Sequence, residues 1–157
     1  MHTTNLITAL AEEIRDATSN LKLPVEYQDE TARQLKDTWV NVNIFEQQIP
    51  RDLFQETAYY PCCIVEFLSL SDNLKSGSIA TVGLSLGVFA KEFDGWQDAF
   101  HLMEVVRERL LTRRLIAKKF RLTEEVVWQT AQEQPAPFFF VYGELNYEIF
   151  FPQEKFL

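Results

Sequence analysis

Ser78-Ile79-Ala80-Thr81-Val82-Gly83-Leu84-Ser85-Leu86-Gly87-Val88-Phe89-Ala90 alternates without a break, and its reading decides the fold. Successive side chains of a strand point to opposite sides, so Val82, Leu84, Leu86 and Val88 share one face. Thr81, Gly83, Ser85 and Gly87 share the other, where small residues let another group approach the backbone closely. Phe93-Asp94-Gly95-Trp96 then launches a helix, with Asp94 placed to cap it and Gln97 in a capping-box-like position. Trp96, Ala99, Met103, Val106 and Leu110, widened by Phe100 and Leu102, form its apolar stripe. Gln97, Asp98, His101, Glu104 and Glu108 lie opposite. Running to about Arg113, the helix spans about 27 Å and can cover several strands. A turn at Glu133-Gln134-Pro135-Ala136-Pro137 opens a long final strand. Phe139, Val141, Gly143, Leu145, Tyr147 and Ile149 share one face of it; Phe138, Phe140 and Tyr142 share the other.

Upstream, Asn5 to Leu21 has the spacing of an amphipathic helix on Leu6, Leu10, Ile14, Ala17 and Leu21, with Thr3 or Thr4 as its cap. Pro24 ends this element or starts an extended one, and Asp29 to Lys36 is polar and ambiguous. Thr38 to Phe45 alternates as a half-buried strand, with Val40, Val42 and Ile44 opposite Asn41 and Asn43. Ile49 to Pro61 reads as a connection. Cys62 to Leu70 is apolar on both faces except at Glu66, which predicts a central strand. The loop Ser71 to Gly77 delivers the chain into Ser78 as an antiparallel hairpin. Downstream of the helix, Phe120 and Leu122, then Val126, Trp128 and Thr130, alternate again. The expectation is an α+β fold: a single domain over 1–157, with a mostly antiparallel or mixed sheet carrying an N-terminal helix and a long central helix.

At 157 residues the chain can bury a substantial core, and its 46% hydrophobic content fits a soluble globular protein. Thirteen Phe, five Tyr and three Trp favour extensive protein contacts. A net charge of −8 argues against a dedicated nucleic-acid binder. Cys62 and Cys63 are adjacent and so point apart on a strand. They read as buried small hydrophobes in a reducing compartment rather than a disulfide. No signal peptide or membrane-spanning run is visible, which predicts synthesis in the cytoplasm and no membrane partner.

The usual catalytic kits are missing from the pattern. His101 reads as a surface residue, and with two adjacent cysteines it cannot supply a zinc spacing. Glu66 is the one acid inside an apolar strand; an edge position or a basic partner explains it more simply than proton transfer. Gly83 and Gly87 precede no Lys-Ser or Lys-Thr pair, so there is no phosphate loop. No catalytic residue, metal ligand or cofactor is expected. The strongest charged signal is basic: Arg107, Arg109, Arg113, Arg114, Lys118, Lys119 and Arg121 are seven of the 15 cations. Dipole compensation at a helix C-terminus accounts for Arg113 and Arg114 but poorly for Lys118, Lys119 and Arg121. Three readings stay open: a solvated face, a contact with an acidic protein surface, and a contact with DNA. The Pro-flanked turn either rigidifies its hairpin or docks onto a partner. Arg113, Arg114, Lys118, Lys119, Arg121, Pro135 and Pro137 are therefore the candidate interface residues.

Gly87-Val88-Phe89-Ala90, Phe93-Asp94-Gly95-Trp96-Gln97-Asp98, the helix ending Arg107-Glu108-Arg109-Leu110-Leu111, Phe120-Arg121-Leu122, Trp128 and Glu133-Gln134-Pro135-Ala136-Pro137-Phe138 form an ordered series. It resembles the tail terminator group of phages and prophages of Gram-positive bacteria, also described as tail completion or minor tail proteins. The likeness covers about Pro61 to Pro152, the family-like core of 61–152, between an N-terminal part at 1–60 and a C-terminal arm at 153–157. It implies a hexameric ring that caps the head-proximal end of the tail tube and stops its polymerisation. The implied partners are further copies of this chain, the tube protein, the head–tail connector or neck proteins and, in a contractile tail, the sheath; DNA would only pass through. The implied location is the tail or neck of the virion, after assembly in the host cytoplasm. A neck or head-completion adaptor is the alternative within the same machinery, and a DNA-packaging accessory is a more distant one.

Overall fold

The computed structural model describes residues 2–24, 39–48, 59–89, 95–134 and 137–149. Helix α1 (His2–Ala17) is followed by the short strands β1 (Lys22–Leu23), β2 (Val40–Asn41) and β3 (Asn43–Glu46). The long strands β4 (Cys62–Asn73) and β5 (Gly77–Phe89) lead to helix α2 (Gly95–Thr112). The short strand β6 (Leu115–Ile116) precedes β7 (Phe120–Thr130) and β8 (Phe138–Ile149). The main sheet is six-stranded in the order β3-β4-β5-β8-β7-β6, and β1 pairs with β2 separately. The pair β3–β4 is parallel and the other neighbours are antiparallel, so the fold is α+β with a mixed sheet.

The alternation of β5 governs the layers. Ala80, Val82, Leu84, Leu86 and Val88 are buried beneath the helices with Cys63 and Val65 of β4 and Val141, Leu145, Tyr147 and Ile149 of β8. Leu6, Leu10 and Ile14 of α1 and Ala99, Leu102, Val106 and Leu110 of α2 cover that face. Each such aliphatic side chain removed from water contributes about 1.5–3 kcal/mol.

The other face of the sheet is built differently. At one end, Tyr60, Cys62, Ile64, Phe89, Phe138 and Phe140 form a second cluster. Tyr60 lies 4.6 Å from the Phe138 ring and 5.9 Å from that of Phe140. Gly87 is the floor of this cluster: a Cβ there would sit 2.6 Å from Phe140 and 2.9 Å from Tyr60. The close approach expected over the small-residue face of β5 is therefore made by this chain's own rings.

Several expectations shift. Helix α1 begins at His2 and ends at Ala17, so Thr3 and Thr4 sit in its first turn; the Thr18 hydroxyl donates back to the Ile14 carbonyl. The strand expected over Thr38 to Phe45 divides at Val42. Its first half pairs with β1 and its second half with β4. Strand β4 is a central strand only over Cys62 to Val65; Leu68 to Asn73 are exposed. β7 is one strand with an irregularity between Leu122 and Val126, opposite Tyr147 and Leu145. That offset retains an even number of residues on both strands, so Leu122 and Val126 keep the same face. Of the predicted helical stripe, Trp96 and Phe100 remain 44% and 37% exposed, edge-on to each other at 5.6 Å. The Asp94 cap, the polar stretch Asp29 to Lys36, Pro135 and the 153–157 arm lie outside the described residues, as does most of the Ile49 to Pro61 connection.

Gly87→Ala, whose Cβ meets two buried rings, is expected to cost about 1–3 kcal/mol of stability. Gly83→Ala meets only the exposed Leu68 side chain, at 3.1 Å, and is expected to cost much less. Urea midpoints of the two variants check this contrast.

Candidate interaction surfaces

The basic cluster divides on folding. Arg109 and Arg113 turn inward onto α1: Arg109 Nη1 lies 2.7 Å from Asp16 Oδ2 and 3.4 Å from Glu13 Oε2, and Arg113 Nη1 lies 3.1 Å from Glu13 Oε1. These pairs join two helices that pack side by side on the sheet. The Arg109 hydrogen bond, then its charge, holds the Asp16 carboxyl below its ordinary 3.8. Arg114 Nε donates to the Leu111 carbonyl at 3.2 Å, and Arg107 approaches Glu104 at 3.8 Å. Arg107, Arg114 and Arg121 line an open cavity of about 820 Å³ beside the β7 irregularity, together with Glu125 and Glu148. Lys118 and Lys119 are exposed in the tight β6–β7 turn, where Ala117 and Lys118 take positive φ of 50° and 58°.

The proline turn sits elsewhere. Pro137 is exposed at the start of β8, whereas Arg121 pairs in register with Glu148 near its end. Ten residues of strand, about 33 Å, separate the two places. Gln134 fastens the turn to β8: its Nε2 donates to the Phe140 carbonyl at 3.1 Å and its Oε1 accepts from the Phe140 N–H at 2.8 Å.

The residues weighed for chemistry are dispersed. His101 is exposed on α2. Glu66 is half-buried on the open face of the sheet, opposite Gly83. Burial first, and then the Glu66 charge, raises the Tyr142 hydroxyl above its ordinary range. Cys62 and Cys63 are free thiols with no exposed surface, on opposite faces of β4. Burial pushes Cys62 up to about 12 and Cys63 well above its usual value. Among the described residues no group of His, Cys, Asp or Glu is arranged to hold a metal ion. No helix among them is long and apolar enough to cross a membrane.

The sheet edges are the most open features. On the outer side of β4, β3 reaches only Val65; Gln47 adds one step, its Oε1 accepting from the Phe67 N–H at 2.7 Å. Beyond it, no described strand pairs that side of β4. On the opposite border, β6 pairs only Phe120 and Arg121 of β7. The β4–β5 hairpin ends in Leu74, which is 105% exposed. The sequence places the hairpin loop at Ser71 to Gly77, as found, without singling out Leu74 at its apex. No family model matches the chain, and no curated protein matches it either.

Asp16→Asn is expected to destabilise the protein slightly at neutral pH. The deficit against the parent chain is fully present above 3.8 and vanishes as pH falls through the lower folded-state value. Urea midpoints across the acid range check it. Both thiols are expected to resist a maleimide at neutral pH and to react only on unfolding, which mass spectrometry of labelled protein reads directly.

Proposed function

We propose that this chain is a virion assembly subunit, a tail terminator that forms a ring at the head-proximal end of the tail tube. The observation that carries the reading is the pair of unlike sheet borders left without a described strand: β4 from Glu66 onward and β7 from Thr123 onward. A ring needs heterologous contacts, in which each subunit presents two different complementary surfaces. Two unlike borders on opposite sides of one sheet meet that requirement, whereas an isologous dimer needs only one. The resemblance of the 61–152 core to the terminator group supports that place in the particle.

In this reading termination is steric. One face of the ring matches the growing end of the tube; the other faces the head connector and accepts no further tube protein. Cys62 and Cys63 contribute packing, one to each face of the sheet. A DNA-packaging role draws less support, because Arg109 and Arg113 are engaged by Glu13 and Asp16.

Deletion of the gene from its phage is expected to leave tails of uncontrolled length or heads without tails in electron micrographs. Normal joined particles would overturn the role. Native mass spectrometry of the purified chain or of isolated tails is expected to show a closed ring.

A further inference from the structure

The tip of the β4–β5 hairpin is built to present one side chain. Asn73 Oδ1 accepts from the backbone N–H of Lys75 at 2.9 Å and of Ser76 at 3.0 Å. Gly77 takes the positive φ of 94° that closes the turn. Behind it the Ser78 hydroxyl donates to the Asp72 carboxylate across the strand pair. Leu74 stands at the apex of this fastened turn, 105% exposed, with Lys75 beside it. An apolar side chain held outward in a fixed turn loses little freedom on binding, which suits an anchor.

A cavity of about 430 Å³ lies elsewhere on the same chain, where the start of α1 passes the end of β3 and the middle of β4. Ile7 and Phe67 form its apolar wall, and Glu46 stands at its border, accepting from the Thr8 hydroxyl at 2.7 Å. Glu46 retains acceptor capacity for a second donor. The cavity also adjoins the outer side of β4 where β3 ends at Glu46.

We infer that Leu74 of one copy seats against Ile7 and Phe67 of the next, with Lys75 meeting Glu46. The occupant is a second copy because this chain carries both halves of the match: an apolar apex beside a cation and an apolar cleft beside an anion. Tip and cleft are different surfaces, so the contact is head-to-tail and can close into a ring. It deepens the ring reading above and rests on it for the particle, but not for the contact itself.

Sedimentation velocity of the purified full chain tests it. The parent protein is expected to self-associate, and Leu74→Ser, an exposed substitution that spares the fold, to weaken association about tenfold or more. Glu46→Lys and Lys75→Glu are each expected to weaken it, and combining them to restore it. Mixing a Leu74→Cys copy with a Thr4→Cys copy under oxidation is expected to give a crosslinked heterodimer. A parent protein monomeric at about 1 mM, association unchanged by Leu74→Ser, or no recovery in the charge swap overturns the contact. Normal tails from the deletion phage with Leu74-dependent association would remove the tail role alone. Defective tails with Leu74-independent association would remove this contact alone.

Discussion

Burial of the even-numbered side chains of β5 is the constraint on which the rest depends. Ala80, Val82, Leu84, Leu86 and Val88 can leave water only if both helices lie across that face. Covering a single face with α1 and α2 brings the helices side by side. Glu13 and Asp16 then meet Arg109 and Arg113 across a sequence distance of more than ninety residues. The ion pairs are a consequence of that packing rather than its cause, since partly exposed pairs contribute only about 0–1 kcal/mol. They link the facing sides of the two helices and give two arginines acidic partners within the chain. What looked like one basic stretch in the chain is a helix seam, a cavity wall and a turn.

The same strand sets the second layer by what it lacks. Gly87 leaves room on the odd-numbered face for Tyr60 and Phe140, and Gly83 for Leu68. On the helix-covered face, Gly143 of β8 makes room in turn for Trp128, whose ring would stand 2.5 Å from an added Cβ. Aromatic area is thereby buried against backbone at one end of the sheet. Beyond the cluster that face opens, and Leu68, Ile79 and Val127 remain exposed on or beside it. Packed and open surface are divided between the two ends of one sheet.

How much was legible follows from the range of the physics involved. The β5 alternation, the α2 core stripe of Ala99, Val106 and Leu110, and both faces of β8 were readable because period and burial are local properties of a segment. The division at Val42 was not, because β2 and β3 find different partners, one in β1 and one in β4. The apolar run at Cys62 to Leu70 suggested a central strand, yet coverage stops where β3 stops, at a length only the neighbour determines. Trp96 and Phe100 belonged to the helical stripe by spacing, but both stay partly exposed, so the wide side of that stripe meets solvent. Among the candidate interface residues, Arg113 was legible as a cation near a helix end. Its partner Glu13 was not, since nothing local links the two.

An exposed strand border is normally a hazard, because any extended chain can pair with it. Here the β4 border carries Glu66 and Asp72 and is interrupted by an irregularity between Phe67 and Ser69. A flat, regular strand therefore cannot add along its whole length. What can approach is a short element that carries its own recognition, and the hairpin apex at Leu74 is such an element. The charges deter indiscriminate pairing while one apolar anchor and one ion pair reward the right orientation, a division of labour that favours specificity over bulk affinity. For the terminator proposed above, which would stop a polymer rather than extend it, that balance matters. A generic sticky edge would propagate without limit, whereas a head-to-tail contact whose rotation closes ends once the circle is complete.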